Sequence, residues 1–170
     1  MEPSNNTDPV ACVNVLHLFY ANGRGQELSR TLDWVLKVLN HRAYADGSLY
    51  YLGPEPFLYF LSRLFHFLPA ATRTSVLPVL QRRISERLGA PGDALALGMR
   101  IVASARAGLL ASADLARLKG LQEPDGSWPI GWMYNYGGSG IKFGNKRLTT
   151  AVALQAIRAA ETLEQGEHVH

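Results

Sequence analysis

Cysteine is nearly absent from this 170-residue chain, where Cys12 stands alone. A single thiol excludes an intrachain disulfide and fits a reducing compartment. Its neighbours Ala11, Val13 and Val15 are apolar, which makes Cys12 a small core hydrophobe rather than a nucleophile. Charge is sparse as well. Charged residues make up 18% and the formal net charge is +3, too little and too scattered for a nucleic-acid-binding surface. The densest basic group, Arg82, Arg83 and Arg87 with Glu86 among them, reads as a solvated helix face. Long hydrophobic runs are missing too. The most apolar one, residues 57–69, contains Arg63 and His66 and is too short to cross a bilayer; peripheral membrane contact is compatible with it. The opening residues MEPSNNTD are polar and lack a basic n-region, so no signal peptide is expected and the expected compartment is the cytoplasm. Gly137-Gly138-Ser139-Gly140 follows no expected strand and matches neither GxGxxG nor a Walker loop. His168 and His170 read as a frayed tail. Neither a metal nor a cofactor is expected.

What the chain does have is apolar content, 47% of its residues, arranged with helical spacing and repeated. Residues 34–52 read WVLKVLNHRAYADGSLYYL, and residues 115–132 read LARLKGLQEPDGSWPIGW. Each is an amphipathic run broken by Asp-Gly-Ser and followed by aromatics. The helices before them match as well, since Asp8-Pro9-Val10-Ala11 and Asp93-Ala94-Leu95-Ala96 each open an apolar stretch. Helices are predicted over 10–21, 27–41, 57–68, 72–88, 94–107, 112–121 and 148–163, with caps at Asp8, Asp93 and Ser112. Leu28, Leu32, Val35, Leu36 and Leu39 form one apolar face of the second. Residues 122–147, rich in glycine and aromatics, read as a loop with room for a short hairpin. The Gly89-Ala90-Pro91-Gly92 break separates one unit, about 8–88, from a second, about 93–163. A helix-pair unit used twice predicts one all-α domain, an α-α array or toroid.

Two groups of residues are candidates for chemistry. Along the first helix, Asn14, His17 and Tyr20 follow at i, i+3 and i+6 from the Asp8 end. A histidine among leucines is otherwise a core residue bonded to a backbone carbonyl. The loop 128–150 carries Trp128, Trp132, Tyr134 and Tyr136, a Gly-Gly-Ser-Gly segment, and then Lys142, Lys146 and Arg147 before Thr149 and Thr150, read as caps. Aromatic faces stabilise carbocations, and cations near a helix start suit an anion. The alternative is a loop held by aromatics: glycine in Asp-Gly-Ser supplies a positive φ, and Trp128 packs the turn.

The stretch LKGLQEPDGSWP resembles the QW motif, Gln-x-x-x-Gly-x-Trp, of the terpenoid cyclases, through Gln122, Gly126 and Trp128. It is also similar to protein prenyltransferase β-subunits. The likeness covers about 115–157; Asp46-Gly47-Ser48 is a degenerate copy without the Gln and Trp. It implies an (α/α)6 toroid around an apolar cavity, of which this chain offers about half. It also implies a hydrophobic isoprenoid or lipid ligand, contacted by Tyr50, Phe60, Trp128, Trp132, Tyr134, Tyr136, Lys142, Lys146 and Arg147. A homodimer or another chain would complete the ring. The acid motif Asp-x-Asp-Asp of those enzymes is missing: the matching helix start reads Asn5-Asn6-Thr7-Asp8. The catalytic candidates are therefore Asp8, Asn14 and His17, with a lipid- or protein-binding module lacking catalysis as the alternative.

Overall fold

A computed structural model describes residues 7–166, so Asn5, Asn6, His168 and His170 lie outside the described residues. Within that span the chain forms seven α-helices. The first, α1 (Pro9–Ala21), starts where expected: the Asp8 carboxylate accepts from the Val10 and Ala11 amides at 2.8 and 3.0 Å, with Pro9 at a position whose missing N–H costs nothing. A 3-10 turn (Gly25–Leu28) precedes α2 (Ser29–His41), which buries Leu32, Val35, Val38 and Leu39 on one face. Next come α3 (Glu55–Phe65), whose apolar length is buried on most sides, and α4 (Ala70–Ser85), which keeps Pro78 inside. The fifth helix, α5 (Ala94–Arg106), is capped by Asp93. Ser112 is the first residue of α6 (Ser112–Gly120) rather than its cap. The last helix, α7 (Lys146–Glu164), is capped by Asn145, whose side chain accepts from the Arg147 and Leu148 amides. Thr149 and Thr150, expected as caps, therefore stand inside α7. They accept instead from Gly131 and Trp128 of the preceding loop, at 2.9 and 3.2 Å.

The helices form two layers. In one, α1, α3, α5 and α7 are neighbours in that order; in the other, α2, α4 and α6 lie against them. The closest approach joins α5 to α7. Gly98 makes it possible, since a Cβ there would lie 3.0 Å from a Val152 methyl. Opposite it α7 offers Ala153, Ala156 and Ala160, all buried. One core gathers around Leu16, Leu39, Phe57, Leu61 and Ile84 and takes in Ala103 of α5. The second holds Leu97, Met99, Leu118, Trp128 and Ala153. Tyr51 and Phe60 touch both. The fold is all-α apart from one antiparallel hairpin, β1 (Trp132–Asn135) with β2 (Lys142–Gly144).

The junction of α3, α5 and α6 is held by charge. Glu55 of α3, 6% exposed, accepts from Arg87 and from Arg100 of α5, each at 2.9 Å. The other nitrogen of Arg100 reaches Asp114 of α6 at 3.2 Å and the Ala90 carbonyl at 2.8 Å, while Asp114 accepts from the Gly89 amide. This corrects the reading of Arg82, Arg83 and Arg87 as one solvated face. Only Arg82 is exposed. Arg83 is buried and donates to the Leu39 and Asn40 carbonyls and to Glu86, tying α4 to the end of α2.

Candidate functional site

The starts of α1, α3, α5 and α7 meet at one end of the row, where both Asp-Gly-Ser loops also lie. In the first loop Gly47 takes φ +80°, and a Cβ there would come within 2.5 Å of the Tyr51 carbonyl. Only glycine fits that turn. Ser48 then donates its hydroxyl to Asp8 and accepts from the Tyr50 and Tyr51 amides at 3.2 and 3.0 Å. Asp8 is thus at once the cap of α1 and the anchor of this loop. Thr7, Asp8, Ser48, Leu49 and Tyr50 line a pocket of about 170 Å³.

The hairpin continues the same end. The Asn135 amide donates to the Tyr50 carbonyl at 2.8 Å, and the Tyr51 and Tyr134 rings meet at 5.0 Å. Burial, then Tyr134, pushes the Tyr51 phenol well above its ordinary pKa. Asp93, the cap of α5, accepts from the Trp132 amide at 2.9 Å, so both capping aspartates also hold an aromatic loop. Trp132, Tyr134 and Tyr136 are exposed, as are Lys142 and Arg147. The structure thus brings Asp8, Tyr50 and Tyr134 together, with Trp132, Tyr136 and Lys142 extending from them along the hairpin.

Other expected residues stand elsewhere. Trp128 is fully buried, and its indole N–H donates to the Leu118 carbonyl at 2.7 Å. Its place is inside the second core. Gln122 donates to the Gly126 carbonyl, and Gly126 takes φ +83°. Lys146 is paired with Glu123 and Asp125. Asp125 is held at about 2, first by the Ser127 hydroxyl, then by the Ser127 amide and Lys146. Phe60 is half-buried beneath the Arg63 guanidinium, 5.9 Å away. Asn14 is half-buried on α1. His17 meets the Phe67 ring edge-on at 4.9 Å, away from Asp8, and burial followed by Arg63 and Arg106 lowers its pKa. A second pocket, about 240 Å³, lies between α1 and α2 beside Cys12 and Trp34. Burial and Asp8 raise the Cys12 thiol, which suits its half-buried place against the core. Among the described residues no group of His, Cys, Asp and Glu has metal-site geometry, and no helix is long and apolar enough to cross a membrane.

Sequence reasoning missed Ser48, Tyr51 and Asp93 as parts of this end. Their signals were present: Ser48 belongs to the repeated tripeptide, and Asp93 stands at the helix start that mirrors Asp8.

No protein-family model matches the chain. No solved structure matches it either. Among curated proteins it is similar to drimenol cyclase drtB of Aspergillus calidoustus, 44% identical over 151 residues. That alignment takes in 88% of this chain, which spans 29% of the relative's length. Identity at that level across most of the chain supports a terpenoid-cyclase-like relationship.

Proposed function

We propose that the chain forms about half of a terpenoid-cyclase-like α-α toroid and helps to bind or transform a hydrophobic isoprenoid. The 44% identity to a drimenol cyclase carries this reading. The helix row supports it, because both of its end helices leave apolar stripes in solvent: Ala11, Val15 and Leu18 on α1, and Leu148, Ala151 and Leu154 on α7. Such surface favours association, so a second copy or another chain completes the ring in this reading. Tyr50, Phe60, Trp132, Tyr134 and Tyr136 supply aromatic contact to the substrate, with Lys142 and Arg147 at the rim. Trp128 and Lys146 hold the loop that carries them. Asp8 is the acid, with Asn14 and His17 further along the same helix.

A second reading is a non-catalytic module that binds a lipid or a partner protein. The state of Asp8 favours it: two backbone amides and the Ser48 hydroxyl already occupy the carboxylate. One experiment separates the two. The purified protein is incubated with linear prenyl diphosphates, and cyclised products, drimenol among them, are sought by gas chromatography with mass detection. Cyclisation that disappears in Asp8→Asn supports the enzyme. Turnover that survives the change removes Asp8 as the acid, and no turnover with a co-purified lipid seen by native mass spectrometry favours the module.

A further inference from the structure

We infer that the pocket between the C-terminal halves of α1, α3 and α5 is a binding site for a phosphate-class oxyanion. About 250 Å³ in volume, it is lined by His17, Arg63, His66, Phe67 and Arg106. At about 30 Å³ per liquid water, it has room for several polar atoms at once. Every side chain around it except Phe67 is basic.

The other inward-facing arginines of this protein are all matched. Arg83 pairs with Glu86, Arg87 with Glu55, and Arg100 with Glu55 and Asp114. Among the described residues Arg63 and Arg106 have no ion pair. Arg106 also keeps its Nη1 buried without an acceptor, an arrangement that costs free energy unless a ligand completes it. Burial, Arg63 and Arg106 together lower the pKa of His17, with no carboxylate offsetting them. The helix ends explain part of this. Cations are favoured at C-terminal turns, and Arg63 and Arg106 lie in the last turns of α3 and α5. The convergence of two such turns on one cavity, with a buried donor left over, goes beyond what a helix end requires.

The guanidinium groups are also held for use. Arg63 lies over the Phe60 ring at 5.9 Å and Arg106 over the Tyr59 ring at 5.6 Å. Tyr59 in turn donates its hydroxyl to Gln155 of α7 at 3.1 Å. Arg106 also hydrogen-bonds Tyr59, which fixes the guanidinium while its buried Nη1 stays without an acceptor. Two permanent positive charges match a dianion, whereas a carboxylate would balance only one. A phosphate or diphosphate group, with several acceptor oxygens, meets both conditions.

The inference stands apart from isoprenoid chemistry, because an inorganic probe tests it. Inorganic diphosphate is titrated into the whole chain by calorimetry at low ionic strength, without added metal. Saturable binding is expected, weakened about tenfold or more in Arg63→Gln and in Arg106→Gln, as the loss of a charge-assisted pair implies. Arg63 is only half-buried, so R63Q keeps the test decisive if R106Q fails to fold. Without anion, R63Q should melt no lower than the parent protein, because it relieves repulsion. No binding by the parent protein, or unchanged binding by R63Q, overturns the assignment. A geranyl diphosphate arm separates the sources. Tighter binding than inorganic diphosphate, lost in R63Q, assigns the head group of a prenyl compound; equal binding assigns the free anion.

Discussion

Replacing Arg100 by methionine keeps most of the aliphatic bulk and removes the charge at the junction of the two units. The Arg100 side chain is 1% exposed, Asp114 0% and Glu55 6%. In R100M, Glu55 keeps Arg87, and Asp114 keeps the Gly89 amide and the partly exposed Arg117 at 3.6 Å. The Pro91 carbonyl loses its arginine donor, and the Ala90 carbonyl keeps only Arg117. Removing one member of a buried ion pair costs about 3–5 kcal/mol. At about 2–4 °C per kcal/mol for a chain of this size, the melting temperature should fall by roughly 6–20 °C. Arg117→Met is the control: its own side chain is 44% exposed and stands 3.6 Å from Asp114, which keeps its other donors, so water screens this arginine and its loss should cost only about 1 kcal/mol. Urea unfolding followed by far-UV circular dichroism and by tryptophan fluorescence gives both values. If R100M and R117M prove equally mild, the network does not clamp the units and the reasoning fails.

The two loop glycines should differ although both take a positive φ. A Cβ on Gly47 would strike the Tyr51 carbonyl and the Gly53 amide, whereas Gly126 has only the far end of Gln122 nearby. Gly126→Ala should cost about 1 kcal/mol for the left-handed backbone alone, and Gly47→Ala clearly more, read as denaturation midpoints. Trp128→Phe removes the buried indole donor, while the Leu118 carbonyl keeps the Leu121 amide at 3.1 Å, so the change should cost about 1 kcal/mol, measured by the same unfolding titration. The pKa of His17 is depressed on folding, from 6.5, by burial and two arginines. Its contribution is therefore complete above pH 6.5 and is lost as pH falls through the folded value. In phosphate-free buffer His17→Gln should flatten the stability profile on the acid side of 6.5, and an unchanged profile would refute the assignment.

Most helices were legible because their apolar residues recur at the period of the backbone and their caps are local. Asp8, Pro9 and Asp93 act within three residues of themselves. The asparagine cap of α7 was passed over because Thr149 and Thr150 carry the same signal, and only the loop above them decides what they bond. Arg83, Arg87 and Arg100 were beyond reach for a different reason. Arg87 and Arg100 pair with residues of other helices, Arg83 reaches carbonyls at the end of α2, and a single sequence does not say which side of an arginine-rich helix faces inward. The candidate site was half visible. The repeated Asp-Gly-Ser pointed to both loops, but the meeting of Asp8 with Ser48, and of Tyr51 with Tyr134, depends on how the two units stack. Trp128 conforms to the alternative reading of its loop, a large ring that fastens the turn, and its indole hydrogen bond gives the reason.

The amide of Asn135 also says something about the order in which the molecule assembles. Contacts within each helix pair join residues close in the chain, so the array grows by short steps with small loop-closure cost. The bond from Asn135 to Tyr50 encloses α3, α4, α5 and α6 in its loop and gains nothing until all four have stacked at the right height. The aromatic end is therefore among the last parts to close on folding. Slow exchange at Asn135 would mark a molecule whose two units are already in place.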